Sequence, residues 1–441
     1  MRLAPLTVIF GVNSSGKSSL GHLLLALQQT ALSSDRKRAL NLGDEYSAVD
    51  LGTLRDCIHM HDLKFEIGFS IGWKLPKKLE VRNLNSNKSD QLFTSDRMRI
   101  DVSLGANSNE QPEVRKIDYK LEKSDVPSLN VRIKRDDKNG FILESPQYSF
   151  IKTSGRKWPM EEPEKFYRVS DTSRARYQNA GFLADFALSV ESMLRGVYYL
   201  GPLRSSPKRI YPWSGDTPES VGQMGEYTIA AILSSENKNR KINFSPKCRA
   251  DKFDVLIARL LAEIGVINSF KVKPLAEGRK EYEVLVKTHA HSSEVKLTDV
   301  GFGVSQVLPA VVQPFYCPPD STVWMEQPEI HLHPQVQAEL ADVFIAAVKA
   351  RENGKPRNVQ LIVESHSEHF LNRLQRRVAE GKISSEDVAV YFCRRDNTAA
   401  EIEPLKLNTD GDIENWPANF FGDEMADISA RVLAASEQKK A

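Results

Sequence analysis

Eight consecutive residues, Gly11-Val12-Asn13-Ser14-Ser15-Gly16-Lys17-Ser18, fit the pattern G-x-x-x-x-G-K-[ST] in full, and Ser19 follows. Gly11 and Gly16 permit backbone turns that a side chain would obstruct, and N–H groups at a following helix start would face phosphate oxygens. Lys17 would neutralise the β- and γ-phosphates, and the Ser18 hydroxyl would ligate Mg²⁺. Asn13, Ser14, Ser15 and Ser19 complete the candidate cofactor-binding set on this loop. The chemistry is the binding of a nucleoside triphosphate, with ATP and Mg²⁺ as the expected ligands.

Such a loop needs a carboxylate from a neighbouring strand to hold the cation. Glu326 closes the apolar run Val323-Trp324-Met325, inside the string Trp324-Met-Glu-Gln-Pro-Glu-Ile-His-Leu-His-Pro334. Farther on, Glu364-Ser-His-Ser-Glu-His369 follows a second short apolar run. A third candidate, Leu297-Thr-Asp-Val-Gly-Phe-Gly-Val-Ser-Gln306, has Gly301 and Gly303 to open the backbone and Ser305 near the start of a helix through Val312. His331, His333, His366 and His369, with Glu329 and Glu368 nearby, also invite a transition-metal reading, although no cysteine joins them and a turn after the Glu326 strand explains His331 and His333 more simply.

The elements around these residues alternate. Leu6 to Phe10 reads as a buried strand and Leu20 to Leu32 as a helix, the order a phosphate cradle requires. From Phe65 to Ile151, short alternating runs separated by polar turns predict an antiparallel β-subdomain. A helical period begins near Ala180, and Val197-Tyr-Tyr-Leu-Gly-Pro-Leu-Arg204 reads as a strand with a basic tip. Helices are expected at 226–233 and 252–264, and a strand pair over 270–286. Strands at 321–326, 360–364 and 388–394 alternate with helices at 335–350 and 369–380, which argues for a largely parallel sheet. The expected division is 1–60 for the first part of the core, 61–155 for the β-rich insertion, 156–295 for a helical and mixed subdomain, and 296–441 for the rest of the core. Arg204, Lys208 and Arg209 read first as a solvated charge cluster and second as a phosphate or DNA contact.

The 441 residues could form one large α/β domain with insertions, or two domains. A net charge of +2 gives no global argument for nucleic acid, and four widely spaced cysteines suggest neither a disulfide framework nor a zinc knuckle. No apolar run is long enough for a membrane span, and no signal-peptide pattern is visible, so cytoplasm is the default. No heptad pattern is sustained, so no long coiled-coil arm is expected.

Taken together, these ordered motifs resemble the ABC-type ATPases, in the branch that includes SMC-type heads and the ATPase parts of OLD-family and Septu-type bacterial defence proteins. The resemblance implies an α/β P-loop head with a mostly parallel core sheet, an inserted antiparallel β-subdomain and a helical subdomain. It makes Glu326 the metal-binding carboxylate, where an Asp is usual, and His366 the histidine that reaches the γ-phosphate. Gln327 stands where the family has its catalytic Glu, and an amide cannot take a proton from water. Either Glu329 or His366 serves instead, or Gln327 only orients water, or turnover is slow and binding itself is the switch. Gly303 and Ser305 correspond to the loop that caps the γ-phosphate of a partner subunit, which implies a head-to-tail homodimer or a higher assembly. The segment 46–57 occupies the place of the family's Mg²⁺-sensing loop, without its usual glutamine. Residues 412–421 resemble a tail of one subgroup, packed on the core or docking a partner.

OLD-type proteins carry a nuclease domain beyond the histidine motif, and none is expected in this sequence. The expectation is therefore a cytoplasmic, weakly hydrolysing ATPase subunit that controls a separate effector, a nuclease being suspected, in anti-phage defence. DNA binding is possible and membrane attachment is not expected. The alternative is a DNA-repair or chromosome-maintenance ATPase acting directly on DNA. A transporter ATPase component is weaker, because the β-insertion and the Glu-Gln-Pro-Glu-Ile-His string are untypical of transporters.

Overall fold

Five of the six residues in β1 (Leu6–Gly11) are apolar or threonine, and the whole strand is buried. A strand covered on both faces has no need of polar alternation, and this one shows none. The computed structural model describes residues 1–83, 91–123, 126–136, 140–154, 159–246, 248–395, 399–417 and 420. They fall into two units, residues 1–20 with 198–441, and residues 21–197.

The first unit is built on a six-stranded sheet. Besides β1 it contains β7 (Val197–Leu200), β10 (Thr322–Glu326), β11 (Gln360–Glu364), β12 (Val388–Arg395) and β13 (Ala400–Leu405). Their order is β13-β12-β1-β11-β10-β7. β1 pairs in parallel with both β11 and β12, and β10 pairs in parallel with β11, while β13 returns antiparallel to β12. Parallel neighbours need crossovers, which the helices between them supply.

Seven helices are central to the chain: α1 (Lys17–Leu32), α2 (Leu183–Arg195), α3 (Thr228–Asn237), α4 (Phe253–Glu263), α5 (Phe302–Tyr316), α6 (Pro334–Lys349) and α7 (Glu368–Ala379). The last two show how sequence sets helix ends. α6 has Pro334 in its first turn, and the His333 ring accepts from the Gln335 N–H. α7 starts at Ser367, whose hydroxyl accepts from the Phe370 N–H, with Glu368 in the first turn. Its buried stripe of Phe370, Leu371, Leu374 and Val378 follows helical spacing, and Phe370 meets Phe344 of α6 at 5.8 Å between ring centroids. On the other face, Arg373 and Arg377 both reach Asp342 of α6. Ile229, Ile232, Leu256, Leu260, Val307 and Val311, from α3, α4 and α5, join the same apolar core as β1.

Near the end of the described chain, Phe420 packs against Phe10 at 5.5 Å, Phe392 at 4.7 Å and Trp416 at 5.3 Å. The aromatic segment therefore packs on the core over its described part; Phe421 and the polar tail from Ala430 lie outside the described residues. A hairpin of β8 (Ser269–Pro274) and β9 (Glu281–Lys287) matches the strand pair expected there.

The second unit carries an antiparallel five-stranded sheet: β2 (Ile67–Asn83), β3 (Gln91–Ala106), β4 (Pro112–Lys123), β5 (Val126–Asp136) and β6 (Gly140–Glu144), in chain order. In β3 the buried residues Met98, Ile100, Val102 and Leu104 alternate with more exposed ones, the pattern of a sheet with one covered face. α2 belongs to this unit, and its Phe186 meets Tyr119 of β4 at 5.4 Å.

Candidate functional site

The register of the parallel strands sets the site. Ile9 of β1 lies opposite Glu364 of β11, and Glu364 lies opposite Glu326 of β10. The loop that follows Gly11 therefore begins just beyond two strand-terminal carboxylates, at the carboxyl edge where open α/β sheets bind ligands.

The loop itself is a tight cradle. A Cβ at Gly11, where φ is +148°, would collide with the carbonyl of Cys393, so strand β12 approaches too closely for any side chain. Ser14 and Gly16 also take positive φ, at 59° and 90°. Asn13, Ser14 and Ser19 are exposed, whereas Ser15 is buried with its hydroxyl unpartnered. Lys17 is only 7% exposed. Its ammonium donates to the carbonyls of Gly11 at 2.9 Å and Val12 at 2.8 Å, spanning the loop from inside. Burial lowers its pKa, against the opposing pull of the Glu364 charge.

Ser18 stands where the loop meets the sheet. Its Oγ lies 2.8 Å from Glu364 Oε2 and 3.4 Å from Glu326 Oε2. The Tyr199 hydroxyl, from β7, donates to Glu326 Oε1 at 2.8 Å, and the Trp324 indole donates to Glu364 Oε1 at 2.8 Å. Burial and the neighbouring Glu326 push Glu364 up to about 7. A carboxyl raised in this way stabilises the fold fully below its ordinary 4.5, and that contribution is lost as pH rises through about 7. Glu364→Gln carries no such charge. In chelator, its melting temperature relative to the native chain is expected to rise by several degrees between about pH 5 and about pH 8. A difference that stays flat with pH would refute this electrostatic account.

Arg204 is buried at 7% exposure, which corrects its reading as part of a solvated cluster. Its Nη2 donates to the backbone carbonyl of Glu326 at 3.2 Å, and its Nε and Nη1 are unpartnered. Burial draws its pKa down to about 10 against the attraction of Tyr199, Glu326 and Glu329. Lys208 and Arg209 are exposed, and Arg209 pairs with Asp299.

The turn after β10 places the remaining residues. Gln327 adopts φ +43°, a costly conformation for a non-glycine residue, and its N–H donates to the Glu364 carbonyl. Glu329 is buried; its Oε1 accepts from Ser365 Oγ at 2.8 Å and from the His366 N–H at 2.7 Å. This carboxylate braces the backbone that carries His366. His366 is exposed, and partial desolvation of its ring, with the Lys17 ammonium nearby, holds its pKa below the ordinary histidine value. Gly303 lies in the first turn of α5, where an added Cβ would stand 3.3 Å from the His331 carbonyl. Ser305, two residues on, lines a cleft with Ser205, Lys208, Thr228 and Pro309.

The structure thus brings the phosphate loop, Ser18, Glu326 and His366 into one locale and puts Gln327 and Glu329 on the adjoining turn. Gly303 and Ser305 stand on a separate helix. Sequence reasoning did not select Glu364, Tyr199 or Trp324. Glu364 had a visible signal, since Gln360-Leu-Ile-Val-Glu364 repeats the apolar-run-plus-carboxylate form of Thr322-Val-Trp-Met-Glu326. Carboxylate and hydroxyl oxygens are hard donors that suit Mg²⁺. The glycine cradle and the buried, unpartnered Ser15 hydroxyl suit phosphate oxygens. Among the described residues, no three or more His, Cys, Asp or Glu side chains gather as a metal cluster, and no helix is long and apolar enough to cross a membrane.

Strand order and loop define an α/β P-loop ATPase-type fold with added antiparallel sheets. Residues 223–371 match the family described as AAA ATPase domain, and residues 383–430 match the one described as Protein of unknown function (DUF3696). No curated protein matches this chain. Among solved structures, it is similar to an SMC head bound to the C-winged helix domain of ScpA, at 10% identity and TM-score 0.41, covering 91% of this chain and 90% of that one. It is also similar to the SMC head domain from Thermotoga maritima, at 8% identity and TM-score 0.34, covering 92% of each.

Proposed function

We propose that this chain is an ABC-type ATPase subunit that binds Mg²⁺ and ATP, dimerises head to tail around the nucleotide, and controls a separate effector in bacterial anti-phage defence. A nuclease is the effector chemistry we favour. The observation that carries the ATPase reading is the convergence of Lys17, Ser18, Glu326 and His366 at one sheet edge. The defence role rests on the motif resemblance to OLD-family and Septu-type ATPases.

In this reading, loop N–H groups and Lys17 bind the phosphates, while Ser18 and Glu326 hold Mg²⁺, which neutralises charge on the phosphates. Gln327 orients water without accepting its proton, and Glu329 is already engaged with Ser365 and His366. Both features favour slow turnover, with ATP binding as the switch.

Ser305→Arg is expected to abolish ATP-dependent dimerisation while leaving nucleotide affinity within about threefold, because Ser305 stands on α5 rather than on the phosphate loop. Light scattering after size exclusion, with and without ATP, reads this directly. A variant that still dimerises removes α5 from the interface. For the effector, the protein is recovered from its host with ATP and Mg²⁺ and co-eluting chains are identified by mass. A stoichiometric chain with nuclease or other toxic chemistry supports the proposal. Elution alone or with DNA only favours a repair ATPase instead.

A further inference from the structure

We propose that Glu364 is a direct ligand of the divalent cation, completing with Glu326 and Ser18 a metal site that fills before nucleotide arrives. The inference rests on the nucleotide-binding reading above and adds to it a second carboxylate from a different strand. Three oxygens converge from three elements: Ser18 Oγ from the first turn of α1, Glu326 Oε2 from the end of β10, and Glu364 Oε2 from the end of β11.

Each carboxylate is oriented the same way. A buried or half-buried aromatic donor holds its Oε1, Tyr199 on Glu326 and Trp324 on Glu364, and the opposite oxygen is thereby delivered to Ser18. Outer hydrogen bonds that fix ligand orientation are the usual support of a metal site. Ser18 has one hydroxyl proton, so it cannot satisfy both carboxylates at once. Lys17 is committed to the carbonyls of Gly11 and Val12. A divalent cation seated on the three oxygens takes the place of the Glu364 proton and compensates both carboxylates, and hard oxygen donors select Mg²⁺ or Mn²⁺ over softer ions.

A second observation points to a ligand here. Arg204 is more than nine-tenths buried behind Glu326, and two of its guanidinium nitrogens have no acceptor. Buried donors of this kind are rarely left unmet. An anionic group that arrives after the cation, such as a phosphate oxygen, would give Arg204 the acceptor it lacks. Two carboxylates in place of one strengthen cation binding, so the site fills without the help of phosphate oxygens.

The test uses the full chain and Mn²⁺ alone as the probe, with free Mn²⁺ counted by electron paramagnetic resonance. Binding of a fluorescent ATP analogue is measured separately with Mg²⁺. The native chain is expected to bind about one Mn²⁺ per chain without nucleotide, and Glu364→Gln to weaken that affinity at least ~10-fold. Trp324→Phe, which removes the orienting N–H together with part of the indole ring, is expected to weaken it less. Both variants should keep the near-UV circular dichroism of the native chain in chelator, which certifies an intact fold. Native Mn²⁺ affinity in Glu364→Gln, or no Mn²⁺ binding by the native chain without nucleotide, overturns the proposal while leaving the nucleotide reading standing. If the native chain binds no analogue even with Mg²⁺, the nucleotide reading fails and this inference with it.

Discussion

Lys17→Ala should abolish nucleotide binding at any practical concentration. The ammonium bridges the phosphate loop from within, bonded to two loop carbonyls and 7% exposed. Its burial has already cost hydration, so exchanging those carbonyls for phosphate oxygens adds charge-assisted bonds without a new desolvation penalty. Two such bonds at roughly 1.5–3 kcal/mol each correspond to a loss of about 10²- to 10⁴-fold in affinity. Titration with a fluorescent ATP analogue measures it, and the melting temperature in chelator shows whether the fold survives. Affinity within threefold of native, in a folded variant, would mean that the loop does not hold the phosphates.

The second large effect concerns stability and lies away from the site. Arg357 is fully buried at 0% exposure. Its guanidinium reaches the carboxylate of Glu352 and the backbone carbonyl of Cys317, just past the end of α5. Arg240 grips the same carboxylate bidentately, at 2.9 and 3.0 Å, and also donates to the carbonyls of Phe315 and Tyr316. Burial alone would raise the Glu352 pKa, but the two arginines outweigh it and hold it below the ordinary carboxylate value. Breaking a buried ionic network by deleting one partner typically costs about 3–5 kcal/mol. Arg357→Ala also opens a cavity and removes the donor to the Cys317 carbonyl. The expected result is a melting temperature lower by roughly 6–20 °C, measured by calorimetry. A fall of less than about 2 °C would show that Arg240 alone sustains the junction. Nucleotide affinity of the surviving folded fraction should be unchanged, since the network touches neither the loop nor its carboxylates.

These two results also separate what is local from what is not. The phosphate loop was legible because its chemistry lies in nine adjacent residues, and the turn they form dictates where their N–H groups and Lys17 point. Glu326 was legible for a similar reason, as a carboxylate closing a short apolar strand. The antiparallel sheet over 67–144 showed itself through alternation, and α6 and α7 through helical spacing with recognisable first turns. Arg204 was misread because a basic residue beside Lys208 and Arg209 looks like surface until its strand is placed. β7 stands next to β10, and that adjacency buries Arg204 against Glu326.

By itself, then, the sequence determined that a phosphate-binding loop exists, that strands ending in carboxylates follow it, and that the core is α/β. Only the tertiary structure decided that β11 lies between β1 and β10, so that Glu364 and Glu326 meet at Ser18 with Tyr199 and Trp324 behind them. The physical reason is the order of strands in a parallel sheet. Neighbours there are separated by crossovers of dozens to hundreds of residues, and no periodicity within a strand reports which other strand its backbone will pair with.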